Sequence, residues 1–155
     1  MIISNIRVEK LRLRDFIAMR DFIQAFMNEK SGKVSKASNL LFPEFGALSE
    51  IINSYFGVGP CFVAKAGDKI VGFLEIMNLP YKSLIGIGVL EEFQSKGIGR
   101  LLLKKTDKYI KKRVFGRTMC AKTLGENSRA NAFFQMNDFK KYKTKKQWNY
   151  WKKKV

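Results

Sequence analysis

Apolar residues at Ile6, Val8 and Leu11, with polar ones between them, predict an opening strand from Ile6 to Leu11. The spacing then changes. Phe16, Met19, Ile23, Phe26 and Met27 recur at helical intervals, and Asp15 is placed to N-cap that helix. The polar stretch from Asn28 to Ser38 breaks the pattern as a loop. Pro43 can start a second helix, with Leu48, Ile51, Ile52 and Tyr55 on one face and Gly57 beyond its end. Two apolar runs, Cys61 to Lys65 and Lys69 to Met77, flank Ala66-Gly67-Asp68 and predict a hairpin. Pro80 and Tyr81 turn the chain into a central strand from Ser83 to Val89.

Downstream, Ile98, Leu101, Leu102, Tyr109 and Ile110 mark the inner face of a longer helix that Gly116 ends. Its outer stripe, Lys96, Arg100, Lys104, Lys108 and Lys112, repeats every four residues. Thr118 to Thr123 is the next strand. Asn127 can N-cap a helix that turns Ala130, Phe133, Phe134 and Met136 toward the core. From Lys140 to Val155, eight lysines interleave with Tyr142, Trp148, Tyr150 and Trp151, and no acid occurs. That pattern fits closing strands with one buried face; the alternative is a stacking and phosphate-binding surface for RNA. The element order β-α-α-β-β-β-α-β-α-β-β predicts an α+β fold of mixed α/β layers, in one domain over residues 1–155.

Composition narrows the chemistry. The chain has no histidine and only Cys61 and Cys120, which excludes a Ser-His-Asp triad and a zinc site of ordinary spacing; no metal is expected. Cys120 reads as a small core residue in preference to a nucleophile. No apolar run reaches membrane-span length and no signal-peptide pattern opens the chain, so a cytoplasmic setting without a membrane partner is expected. The net charge of +17, from 30 Lys+Arg against 13 Asp+Glu, is the outlier. Such a charge reads first as a solubilising lysine-rich surface; the alternative is a field that draws anionic cofactors, acidic proteins or nucleic acid and repels polycationic molecules such as polyamines.

The stretch carrying most chemistry is Ile85-Gly-Ile-Gly-Val-Leu-Glu-Glu-Phe-Gln94-Ser-Lys-Gly97-Ile-Gly99-Arg100. A strand passes through a polar turn into a helix, and glycines leave the helix start bare. The free N–H groups and positive dipole end of a first helical turn attract anions. Lys96 and Arg100 add charge beside it. A dinucleotide fingerprint would need a third glycine where Leu102 stands, and a P-loop would need Gly-Lys-Ser/Thr where Gly-Arg-Leu stands.

Gln94-x-x-Gly97-x-Gly99 and the lead-in from Ile87 to Phe93 resemble the acyl-CoA loop of the GNAT superfamily of N-acyltransferases. Asn127-x-x-Ala130-x-x-Phe133-Phe134 is similar to a second motif of that family. The resemblance implies a central, mostly antiparallel twisted sheet flanked by helices and splayed at strand 4. It implies acetyl-CoA as co-substrate, its pyrophosphate held by Gln94, Ser95, Lys96, Gly97, Ile98, Gly99 and Arg100. The pantetheine arm would lie along Ile87, Gly88 and Val89, near Asn127 and Phe134. The family's usual tyrosine acid is Phe134 here, and Asp138 stands where the family usually has glycine.

A base is needed to take the proton of an attacking amine. Glu75 and Glu126 are the candidates, Glu75 the better placed; Tyr81 or Tyr142 can supply a proton from elsewhere. The expected function is transfer of an acetyl group from acetyl-CoA to a primary amine by direct attack in a ternary complex. The acceptor is an amine-bearing small molecule or protein. The alternatives are a degenerate member that binds acyl-CoA without efficient catalysis, or a basic nucleic-acid- or ribosome-associated module. Homodimer pairing through the aromatic C-terminal strands is a further expectation.

Overall fold

The computed structural model describes residues 5–30 and 59–155. The helix predicted from Pro43 to Gly57 lies outside the described residues. The elements are β1 (Ile6–Lys10), α1 (Phe16–Lys30), β2 (Cys61–Ala66), β3 (Lys69–Asn78), β4 (Ser83–Val89), α2 (Ile98–Lys111), β5 (Thr118–Leu124), α3 (Ser128–Met136), β6 (Lys140–Lys145) and β7 (Trp148–Lys154). Seven strands form one sheet in the order β1-β2-β3-β4-β5-β7-β6. Every pairing is antiparallel except β4 with β5, which is parallel and holds only at Ser83–Met119 and Leu84–Cys120. Beyond Leu84 the two strands part, so the sheet is splayed at β4.

Helices cover the two faces according to the alternation of side chains along β3 and β4. Phe73 meets Phe22 and Phe26 of α1, with ring centres 5.6 and 6.2 Å away. A Cβ at the adjacent Gly72 would instead meet Ile98 of α2 at 3.4 Å, on the other face. There α2 buries Ile98, Leu102, Leu103, Thr106 and Ile110 while Arg100, Lys104, Lys108 and Lys112 stay exposed, as the four-residue stripe predicts. Phe134 of α3 packs on the same side against Phe139 and Trp151, with ring centres 5.0 and 6.3 Å away.

Four local expectations are corrected. Asp15 does not N-cap α1: it lies in a 3-10 turn (Leu13–Asp15), where its Oδ2 accepts the Arg12 N–H at 2.9 Å. Its Oδ1 accepts from the buried Lys65 ammonium at 2.7 Å. Asn28 to Lys30 belong to α1, and the Glu29 carboxylate accepts the Glu91 N–H at 3.0 Å from both oxygens. Helix α2 stops at Lys111, ahead of Gly116, because Arg113 turns inward to donate to Ser83 Oγ at 3.0 Å and to Asn78. Met136 ends α3 at 77% exposure, facing away from the core.

The C-terminal strands divide unevenly. Trp151 and Asn149 of β7 are buried, whereas all six residues of β6 are exposed at the sheet edge. One buried face is thus right for β7 and wrong for β6. The left-handed conformation of Asp138, φ 68°, explains the glycine that the resemblance places there. It follows α3 at a turn where the Asn137 and Phe139 N–H groups both bond Phe134 O. Asp138→Gly is expected to stabilise the fold by about 0.5–1 kcal/mol, read as a rise of a few degrees in Tm by calorimetry. An unchanged or lowered Tm would show that this conformation carries no strain.

Candidate functional site

The splay leaves one side of β4 without a neighbour. Leu90 N–H bonds Val71 O at 3.0 Å, so in register Gly88 and Gly86 also point their backbone groups at β3. The N–H and C=O of Ile87 and Val89 therefore point into the gap between β4 and β5. Gln94 Nε2 enters that side and donates to Val89 O at 2.8 Å.

The turn after β4 delivers the chain to the start of α2 above this gap. Ser95 and Gly97 are both left-handed, with φ 59° and 77°, and Gly97 is the N-cap residue without a side-chain cap. The first intrahelical bond runs from Leu101 N–H to Gly97 O at 3.1 Å, so the N–H groups of Ile98, Gly99 and Arg100 precede it and point forward. A Cβ at Gly97 would meet nothing within 4 Å, whereas one at Gly99 would press on the Phe133 ring at 2.8 Å. Gly97 is there for its φ, Gly99 for close packing between α2 and α3. Lys96 donates to Glu92 O at 2.6 Å and lies 5.4 Å from the Phe93 ring centre, so its charge is held against the turn.

From this helix start a groove of about 540 Å³ runs between α2 and the end of α3, lined by Gly97, Arg100, Lys104 and Asn137 among others. A second cavity, of about 600 Å³, lies beneath α1 near Lys65, whose ammonium is already paired with Glu9 and Asp15. The groove is the one that reaches the helix start, through Lys96, Gly97 and Arg100.

The sheet face away from α2 carries Glu75. Glu75 pairs with Gly86, and a Cβ added at Gly86 would run into the Glu75 carboxylate. Glu75 thus folds over a bare strand position beside the gap. Glu126 is exposed in the loop before α3. Asn127 caps α3 as predicted, its Oδ1 accepting the Ala130 N–H at 3.0 Å. Its Nδ2 retains its donor capacity. Phe134 is only 4% exposed, its ring packed among Phe133, Phe139 and Trp151. Burial raises the Cys120 thiol, against the opposing pull of Lys82 and Lys152, which keeps it protonated and poorly nucleophilic. Partial desolvation at the exposed Tyr142 phenol raises it, with Cys120 and Tyr150 adding to the effect.

Two residues were overlooked in the sequence. Arg129, in the first turn of α3, donates to the Gln94 side-chain carbonyl and ties that helix to the α2 start. Its place between Asn127 and Ala130 was the available signal. Gly86 was the other, readable in the Gly-x-Gly of β4. Among the described residues no group of three or more Cys, Asp or Glu side chains is placed to hold a metal ion. None of their helices is long and apolar enough to cross a membrane.

The family model of the acetyltransferase (GNAT) domain matches residues 58–141. A search of curated proteins finds no match. Among solved structures, the PaiA N-acetyltransferase of Thermoplasma acidophilum, in complex with coenzyme A, is similar at 21% identity and a TM-score of 0.80, covering 97% of this chain and 99% of that one. A ribosomal-protein-S5-alanine acetyltransferase from Vibrio fischeri is similar at 16% identity and a TM-score of 0.82, covering 97% and 93%. The RimL ribosomal L7/L12 alpha-N-protein acetyltransferase, also with coenzyme A, is similar at 15% identity and a TM-score of 0.84, covering 100% and 97%. At these identities the likeness is one of fold.

Proposed function

The chain belongs to the acetyltransferase (GNAT) domain family, and from that premise we propose that it transfers an acetyl group from acetyl-CoA to a primary amine. The observation carrying this reading is the conjunction of the bare α2 start with the unpaired edge of β4. An anion at the N–H groups of Ile98, Gly99 and Arg100 is favoured by the helix dipole, and Arg100 adds charge. The pyrophosphate of coenzyme A fits there, within the loop Gln94-Ser95-Lys96-Gly97. The groove along Arg100 and Lys104 suits the nucleotide end. The amides of the pantetheine arm find partners in the backbone groups of Ile87 and Val89, as an added strand would. Gly88 offers its backbone to β3, so its part is steric. Asn127 Nδ2 is a further donor.

In this reading the amine nitrogen bonds the thioester carbonyl carbon, the C–S bond breaks, and the thiolate leaves. The ammonium proton passes to Glu75, directly or through water. Phe134 supplies no proton, and a thiolate leaves tolerably without a dedicated acid. Holding amine and thioester together supplies much of the rate.

The test is thioester cleavage of acetyl-CoA with a panel of primary amines, beside calorimetric binding of acetyl-CoA. Turnover with at least one amine supports the proposal; a folded protein that neither binds nor cleaves acetyl-CoA sinks it. Binding without turnover supports the second reading, a binder without efficient catalysis, which the apolar Phe134 favours.

Glu75→Gln is expected to lower kcat/KM by about 10²–10⁴-fold if Glu75 is the base. Gly86→Ala displaces the same carboxylate through the end of a flexible side chain. It is expected to reduce kcat while acetyl-CoA affinity stays within about threefold, since the Kd reads the other face of the sheet. Full activity in both variants would remove Glu75 from the mechanism.

A further inference from the structure

Strand register lines up side chains in rows across the sheet face that bears Glu75. Glu75 pairs with Gly86; across the gap, continued in the register of Leu84 with Cys120, stands Lys122, then Tyr150, then Lys143. The next row runs from Cys120 to Lys152 and Lys140. The face beside the candidate base is therefore a lysine field laid over aromatic rings. Lys122 Nζ lies 3.8 Å from the Trp148 ring centre, and Lys152 Nζ 5.2 Å from that of Tyr142. The segment from Lys140 to Val155 contains no acid. Among the described residues its one ion pair is Lys153–Asp107, on the α2 side of the sheet.

We propose that this face, with the open edge of β6, docks the acceptor, and that the acceptor amine is borne by an extended, acidic polypeptide; the proposal rests on the transferase reading above. Three observations converge on that occupant. The outer edge of β6 is exposed along all six residues and offers backbone N–H and C=O groups to an added strand. Lys140, Lys141, Lys143 and Lys145 on that strand repel a second copy of the same edge and attract a chain of carboxylates. A polymer docked in the row of Glu75 must deliver an aliphatic amine, which a polypeptide carries and RNA lacks. The rings also favour this choice: they hold ammonium groups over their faces, where a stacking platform would present them bare.

The test uses the full chain and a labelled Asp/Glu-rich peptide with a free N-terminal amine, against its Asn/Gln counterpart of equal length. Fluorescence anisotropy is expected to show the acidic peptide binding at least about tenfold tighter at low salt, an advantage that shrinks as salt rises. In Lys143→Glu, Lys145→Glu, Lys152→Glu the advantage is lost, and KM for acetylation of the acidic peptide rises about tenfold or more. Acetyl-CoA binding and acetylation of a small neutral amine are unchanged in that variant. Equal affinity for the two peptides, or an unaffected triple variant, overturns the proposal. So does a single-stranded RNA oligomer that binds the same lysines more tightly than the acidic peptide. In each of those outcomes the small-amine assay still reports on the transferase reading, whose own failure is marked by loss of acetyl-CoA binding in the wild type.

Discussion

Gly97→Glu combined with Gly99→Glu is expected to weaken acetyl-CoA binding by at least about 100-fold, roughly 2.7 kcal/mol, in a protein that still folds. Two carboxylates would stand at the positive end of the α2 dipole, where an incoming phosphate must find N–H groups. Space is not the obstacle at Gly97, because a Cβ there meets nothing within 4 Å, although its φ of 77° strains any other residue. At Gly99 the added Cβ pushes the Phe133 ring, which packs α3 against α2. Alanine at the same positions separates the effects: Gly97→Ala adds backbone strain of about 1 kcal/mol without charge. Calorimetric titration of the three proteins checks this. Binding retained within a few-fold by the glutamate variant would mean that the α2 start does not hold the pyrophosphate.

Lys65→Ala is expected to cost about 3–5 kcal/mol of stability, lowering Tm by about 10 °C or more. The Lys65 ammonium lies 2.6 Å from Glu9 and 2.7 Å from Asp15, and Lys65 and Asp15 are 7% and 5% exposed. Removing the cation leaves a buried carboxylate uncompensated. Lys65→Met with Asp15→Asn removes the deeply buried carboxylate along with the cation, leaves only the partly exposed Glu9 carboxylate without its partner, and keeps an acceptor for the Arg12 N–H, so it is expected to recover most of the loss. A chemical denaturation series decides: a double variant no more stable than Lys65→Ala would show that the uncompensated Asp15 carboxylate is not the source of the loss.

The same cluster sets a pH window. The hydrogen bond from Lys65 holds the Glu9 carboxyl below its ordinary value, outweighing burial. Its contribution is full above the unfolded pKa of about 4.3 and is lost as pH falls through the lower folded value. Burial alone would depress the Lys65 ammonium, but hydrogen bonds to Asp15 and Glu9 together raise it. Its contribution is full below the unfolded pKa of about 10.4 and is lost as pH climbs through the higher folded value.

Local sequence determined what local physics governs. The hairpin turn lies at Gly67 and Asp68 between Ala66 and Lys69, as the glycine and the flanking apolar runs require. Gln94-x-x-Gly97-x-Gly99 marked a strand-to-helix junction with a bare helix start, because backbone conformation and the absence of side chains are written in the glycines themselves. The four-residue lysine stripe of α2 separated its two faces, and Asn127 announced the start of α3. Family membership could be read from these junctions, since they are short and contiguous.

What needed the tertiary structure is whatever depends on distant partners. Lys65 sits in an apolar run, and only folding brings Asp15 and Glu9, 50 and 56 residues away, to its ammonium. That pairing also drew Asp15 away from the α1 cap it resembled. Phe134 carries no sequence signal of its ring neighbours, and only the fold packs it against Phe139 and Trp151. The closing strands alternate alike in sequence, yet only β7 has a strand on both sides; β6 has the sheet edge and solvent. The splay is the clearest case. The family resemblance implied a splay at strand 4, but no residue of β4 by itself states that pairing with β5 ends at Leu84, because strand separation is a property of two strands' positions, set by everything packed around them.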